Sequence, residues 1–180
     1  RIRVGEKILE EKPALVVPAI SDTSQLAAWG EEIEGKLLEL SLDDRYAFWE
    51  LADSHLGPDA SESSAAGIVR TNGLPVEDGT EAGSVGVYLT VSRFNHSCGH
   101  NVCNSWQPDR GVEVLRATRD IEEGEELCIT YIDLFQPREA RQVELKRIFG
   151  FGCACEACMA DAETQERSDV RRGRLAQLRE

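Results

Sequence analysis

Three of the six cysteines fall within one short stretch, Cys153-Ala154-Cys155-Glu156-Ala157-Cys158. Thiols this close, in a chain without a secretory signal, read as metal ligands rather than a disulfide framework. A closed structural zinc site takes four ligands, commonly all cysteine. The cluster is one ligand short, so another part of the chain must come back to supply it. That requirement constrains the fold more than any other feature. Cys98, Cys103, Cys128, His96 and His100 are the candidates. Cys128 falls in an apolar, strand-like run, opposite in phase to Tyr131, and reads as a small core residue. Cys98 lies in a loop dense with polar groups and is the better candidate.

That loop runs from Ser92 to Asn104. It holds two of the three histidines, two of the six cysteines and three asparagines. Buried without partners, so many polar groups would carry a large desolvation cost. The stretch is therefore either solvated or built to hold something.

The chain of 180 residues is long enough for one domain with a real core. It has no apolar run of about 18 residues, so no transmembrane helix and no membrane partner are expected. Arg1 to Glu6 lacks the apolar core of a signal peptide and opens in mid-strand pattern, so the start of the protein is expected upstream. The net charge of −13 argues against non-specific binding to a phosphate backbone. It suits solubility, or a cationic partner such as a lysine-rich peptide.

The apolar spacing predicts a helix over 21–40, with Leu26, Trp29, Ile33, Leu37 and Leu40 as its stripe and Ser21 to Ser24 offering caps. A second helix is expected from about Asp43, with Leu42, Tyr46, Trp49 and Leu56 on its core face and His55 at its C-terminal end. Residues 57–66 and 77–83 read as loops, and Thr71-Asn72-Gly73 as a turn with Asn72 left-handed. Strands are expected over 84–91, 112–115 and 127–132. Pro137 suits the start of a helix running to Phe149. A basic helical tail is expected over 165–180, with Val170, Leu175 and Leu178 apolar. Short strands with Gly-rich turns around a helical insert indicate an α+β fold that is rich in β. On its own, Tyr131 reads as a core residue at a strand end.

Three motifs then stand in order: Asn95-His96-Ser97-Cys98-Gly99-His100-Asn101, Gly124-Glu125-Glu126-Leu127-Cys128-Ile129-Thr130-Tyr131, and the Cys153 cluster. Together they resemble the SET domain of protein-lysine methyltransferases with its post-SET cysteines. The likeness is greatest to the subgroup associated with a MYND finger, including its fungal members. Tyr131-Ile132-Asp133, the following Arg138 and Arg141, and Phe149 and Phe151 before the cysteines carry that likeness. Val4 to Pro13, Thr71-Asn72 and Gly86-Val87-Tyr88 add to it, so the resemblance covers about residues 1–160.

The resemblance implies a SET fold over 1–151 with a helical insert at about 21–66. Residues 152–160 would form a zinc-bound post-SET loop and 161–180 a helical tail. The segment after Cys98 would thread through a loop of the following segment. S-adenosylmethionine and Zn2+ are the implied cofactors, and a lysine-containing protein or peptide is the implied substrate. Tyr131 would be catalytic. Asn95, His96, Arg93, Asn72 and Phe151 would lie at the cofactor, and Tyr131, Phe149 and Tyr88 along the lysine channel. Cys98, Cys153, Cys155 and Cys158 would hold the metal. His100 stands where the family has proline, Phe149 where tyrosine is common, and the family's Gly-x-Gly cofactor loop is expected upstream of Arg1. The alternative is a zinc-stapled scaffold that binds a peptide without methylating it. A nuclear or cytoplasmic location is expected.

Overall fold

The computed structural model describes residues 1–57, 62–77, 79 and 83–178. The loops expected at 57–66 and 77–83, and the last two residues of the tail, fall partly outside the described residues.

In chain order the elements are β1 (Lys7–Glu11), β2 (Leu15–Pro18), α1 (Leu26–Leu37), α2 (Leu42–Trp49), α3 (Ala65–Asn72), β3 (Leu74–Val76) and β4 (Ser84–Val87). They continue with β5 (Asn95–His96), β6 (Val102–Gln107), β7 (Val112–Ala117), β8 (Cys128–Ile129), α4 (Arg138–Phe149), α5 (Glu156–Met159) and α6 (Ala162–Gln177). The strands form small sheets of order β1-β7-β6, β2-β4-β3 and β5-β8. The fold is α+β, with strands too short and sheets too small to form one continuous layer. None of the described helices is long and apolar enough to cross a membrane.

The chain divides into two compact units. The first comprises Lys7–Arg93 and Asn104–Arg116. Its core is conventional: Leu15, Val17, Trp29, Ile33, Leu37, Phe48, Ile68, Val69 and Val87 pack together. On α1 the predicted stripe delivers Trp29, Ile33 and Leu37 to that core. The Trp29 indole donates to the Pro18 carbonyl at 2.9 Å, and Lys36 donates to that of Val16 at 2.8 Å. Both bonds tie α1 to β2.

The second helix departs from expectation. Leu42, Tyr46 and Trp49 are exposed, at 79%, 71% and 40%, while Phe48 is fully buried. With about 100° of turn per residue, Phe48 and Trp49 cannot share a face. Arg45 fixes the rotation. Its guanidinium donates to the carbonyls of Leu37 at 3.1 Å, Leu38 at 3.0 Å and Leu40 at 3.3 Å. These carbonyls lie at and just past the end of α1, and reaching them turns the Arg45 and Phe48 side of α2 inward. His55 lies beyond α2, which ends at Trp49. Six residues past the last turn, it is out of reach of the α2 dipole, and its backbone N–H donates to Asp53 at 2.8 Å.

Helical structure also runs past residue 66. Ser64 caps α3 through its hydroxyl, which accepts from Gly67 N at 2.9 Å. The expected left-handed turn at Asn72 is absent: this residue closes α3, and Gly73 is extended at φ −71°. A Cβ on Gly73 would lie 2.2 Å from Val85 Cγ1, so close approach to β4 explains the glycine. The strand from Ser84 stops at Val87 because the Glu11 carboxylate takes the N–H groups of Thr90 and Val91, at 2.9 and 2.8 Å. Strand β6 was not expected. It is the edge of its sheet and carries mixed polar residues, which hides the period-2 signal.

The second unit comprises Arg1–Glu6, Phe94–Cys103 and Ala117–Glu180. Parallel β5 and β8 pair Asn95 with Cys128 and His96 with Ile129. The predicted six-residue strand at 127–132 shrinks to two residues. Side chains take over the ladder: His96 Nδ1 accepts from Tyr131 N at 3.1 Å, and Thr130 Oγ1 donates to Ile132 O at 2.8 Å. Helix α4 starts after Pro137 and ends on Gly150, which is left-handed at φ 78°. Helix α6 is capped by Asp161, yet Val170, Leu175 and Leu178 are exposed rather than core. Polar bonds hold it instead. Asp169 accepts from the N–H of Arg138 at 2.8 Å, and Arg172 donates to the Leu134 carbonyl.

Candidate functional site

Four cysteine sulfurs meet in the second unit. Cys98 follows β5, Cys153 follows the Gly150 turn, Cys155 caps α5 and Cys158 lies within α5. Their Sγ atoms all lie within 4.8 Å of one another, and those of Cys98 and Cys158 are 3.6 Å apart. Tetrahedral zinc with Zn–S bonds of about 2.3 Å requires sulfur separations of about 3.8 Å. A disulfide would need about 2.05 Å, and all four cysteines are free. Gln142 clamps Cys153 from both sides, accepting from its N–H at 2.9 Å and donating to its carbonyl at 2.7 Å.

The charges around the cluster ask for an anion there. Arg141 is 1% exposed, and its ion pair with Asp169 spans 3.9 Å. Its Nε donates to Cys98 Sγ at 3.4 Å. A buried guanidinium needs a counter-charge, and a thiolate at Cys98 meets the need. As neutral groups in a dry site the thiols resist ionisation: burial, aided by Cys158 and Cys153, pushes Cys98 up to about 12. Burial also opposes ionisation of Cys155, but the Cys158 N–H and the Cys153 thiol outweigh it and bring Cys155 down to about 6. A bound cation would ionise all four. The cluster thus has the donor set, spacing and surroundings to hold zinc. Of the other candidates, Cys103 is exposed and Cys128 is half-buried within β8. His100 Nδ1 is buried without a hydrogen-bond partner.

Beside the sulfurs stands an aromatic group. Tyr131 packs against Phe149 with ring centroids 4.9 Å apart, against His96 at 5.4 Å and against Phe151 at 6.5 Å. Its hydroxyl donates to the Phe94 carbonyl at 2.6 Å. Burial raises its pKa, with Cys128 and Glu126 adding to the shift, so it stays a phenol. His96 is held down to about 4 by burial, then by His100 and Arg141. Because Nδ1 accepts the Tyr131 N–H, the ring proton resides on Nε2, which lies 3.4 Å from Cys98 Sγ. Aromatic rings beside a hydroxyl and a carbonyl oxygen can receive a methyl group through apolar contact and weak C–H···O contacts.

The structure therefore gathers His96, Tyr131, Phe149, Phe151 and the four cysteines within one unit. Asn95 belongs to the same unit and is exposed, donating to Glu126 at 2.7 Å. Asn72, Arg93 and Tyr88 belong to the other unit. The Asn72 amide is spent on the carbonyls of Ala52 and Ile68, at 2.7 and 2.8 Å. Arg93 is exposed, and Tyr88 is fully buried with its hydroxyl unpartnered. Three contributors have no site role in the sequence reading. Phe94 acts through its carbonyl, which no side-chain pattern reveals. Buried Asn101 bonds Glu126 O and Cys128 N, each at 2.9 Å, and so locks the loop to β8. Arg141 is four residues before buried Leu145, and that shared helix face was the available signal.

Comparison with known proteins agrees with this geometry. The family description that matches is "SET domain", over residues 1–132. Histone-lysine N-methyltransferase set5 of Schizosaccharomyces pombe is 34% identical over 177 residues, covering 98% of this chain and 50% of that protein. Human histone-lysine N-methyltransferase SMYD1 is 31% identical over 144 residues, covering 72% of this chain and 29% of its own. Histone-lysine N-methyltransferase ATXR4 of Arabidopsis thaliana is 44% identical over 80 residues, covering 43% of this chain and 24% of its own. The chain thus spans half or less of the length of these curated relatives. Since the match over residues 1–132 takes in the Asn95 loop, all three small sheets and Tyr131, the chain belongs to the SET domain family.

Proposed function

We propose that this chain is the catalytic domain of a nuclear or cytoplasmic protein-lysine N-methyltransferase that uses S-adenosylmethionine. The observation that carries the reading is Tyr131, with its hydroxyl on the Phe94 carbonyl and its ring among His96, Phe149 and Phe151. When bound, S-adenosylmethionine supplies a methyl group on a sulfonium centre. The chain's own task is to present a neutral lysine amine in line with that methyl.

Free lysine has a pKa of about 10.4, so the amine must be deprotonated on entry. Walls of Phe149, Phe151 and Tyr131 exclude water and disfavour the ammonium form. The Tyr131 hydroxyl, fixed at one end by Phe94, gives the amine an oriented oxygen, and alignment rather than acid–base chemistry provides the rate. Asn95 and the His96 backbone are assigned to the cofactor. Phe149 offers no second hydroxyl beside the amine. Cys98, Cys153, Cys155 and Cys158 would hold a zinc ion, and four protein thiolates would give it a structural part rather than a place in the reaction. The acidic chain, at −13, favours a basic protein substrate.

Calorimetry with S-adenosylmethionine on the full-length protein, followed by methylation of a lysine-peptide array, tests the reading. Cofactor binding and methyl incorporation are expected. Peptide binding without cofactor binding would replace the enzyme by a zinc-stapled scaffold.

A further inference from the structure

Arg141 projects from α4 into the interior of the second unit, 1% exposed, and its nearest carboxylate among the described residues, Asp169, stands off at 3.9 Å. Its Nε points at Cys98 Sγ at 3.4 Å, and its Nη1 donates to the Gln136 carbonyl at 2.6 Å. The two bonds use different edges of one planar fork and fix the cation against the sulfur. Asp169 of α6 approaches the same Nη1 at 3.9 Å while accepting the Arg138 N–H at 2.8 Å. A second guanidinium lies near. Arg172 is held on the Leu134 carbonyl.

Four thiolates around one divalent cation leave two negative charges. Buried, that excess would be costly without a fixed counter-charge. Of the four sulfurs, Cys98 has the greatest need, because it is the ligand supplied from a distant part of the chain. The tight loop already gathers Cys153, Cys155 and Cys158.

We infer that Arg141 is a positioning residue for the metal centre: its Nε–H bond to Cys98 Sγ, braced by Nη1 on the Gln136 carbonyl, holds the fourth ligand where the other three sulfurs meet. The inference rests on the zinc reading of the cluster. Asp169 tempers the role by sharing the cation, and through it α6 is fastened to the start of α4.

Zinc content and chelator competition on the full-length protein provide the test, with cobalt substitution to read sulfur-to-metal charge transfer. Wild type is expected to hold one ion with an all-sulfur spectrum. Arg141→Gln is expected to weaken the metal by about 10- to 100-fold, the usual scale for a group that supports a ligand, and to shift the charge-transfer band. Arg141→Lys keeps the charge and is expected to recover most of that loss. Asp169→Asn is expected to leave the metal as tight or tighter. If wild type holds zinc and Arg141→Gln holds it equally well, the inference fails while the metal site stands. An equal loss in the Lys and Gln variants would reduce Arg141 to packing. Absence of metal from wild type would overturn the zinc reading itself. Should Arg141→Gln not fold, the Lys and Asp169 variants still decide between charge and packing.

Discussion

The two units use opposite means to hold their interiors. In the first, aliphatic and aromatic side chains from α1, α2, α3, β2 and β4 exclude water together. In the second, the equivalent cluster contains Cys98, Cys153 and Cys158, with Ile132 and Leu145, and Arg141 is buried beside them. Apolar burial is additive and forgiving, because each group contributes on its own. A centre of sulfurs and a guanidinium is neither: remove one member and the others are left as buried polar groups without partners. The difference teaches where each unit should break.

The largest effect is expected from the metal. Structural zinc contributes about 10–16 kcal/mol in small zinc peptides at neutral pH, so chelation or Cys98→Ala should abolish amide-exchange protection across α4, α5 and α6. The β2-β4-β3 sheet should keep its protection. Equal loss in both units would erase the contrast. Next comes Phe48→Ala, which opens a cavity in the apolar core and is expected to cost about 3–5 kcal/mol in urea denaturation. It should leave zinc content unchanged.

Tyr131→Phe removes one hydroxyl. Methyl transfer is expected to fall about 100-fold, equivalent to about 2.7 kcal/mol of transition-state stabilisation, while zinc content stays the same. Undiminished transfer by that variant would take the catalytic role from Tyr131. The smallest effect concerns buried Glu113, whose carboxyl accepts from Asn104 at 3.0 Å. Burial raises its pKa, against the Asn104 bond. The folded first unit therefore holds its proton more tightly than the unfolded chain does. Stability falls as pH rises from the unfolded value near 4.5 through the folded one. Glu113→Gln should be slightly more stable than wild type at pH 7, with the gap closing below pH 4 in the urea midpoint. A gap independent of pH would show that the charge is not the cause.

The sequence made the second unit's chemistry more legible than the first unit's packing. Three clustered cysteines announce a missing fourth, and the density of polar groups around Cys98 points to where it comes from. On α2 the reasoning failed because two turns of helix offer more than one apolar face. The choice is made by Arg45 reaching the end of α1, a tertiary bond with no local signature. Asn72 read as a turn because Asn-Gly usually is one, and only the nearness of Val85 to Gly73 shows otherwise. The short strands at Ser84 and Cys128 stop where Glu11 and His96 side chains capture backbone N–H groups. Such captures join residues far apart in the chain, beyond the reach of periodicity.

His96 spans two kinds of chemistry with one ring: Nε2 faces the Cys98 sulfur and Nδ1 holds the backbone of Tyr131. A planar, rigid imidazole passes displacement on without absorbing it. Loading the metal would therefore be felt as a change in the bearing of a phenol that never touches the ion. One side chain is thus the shared neighbour of a sulfur ligand and of the segment that carries the phenol.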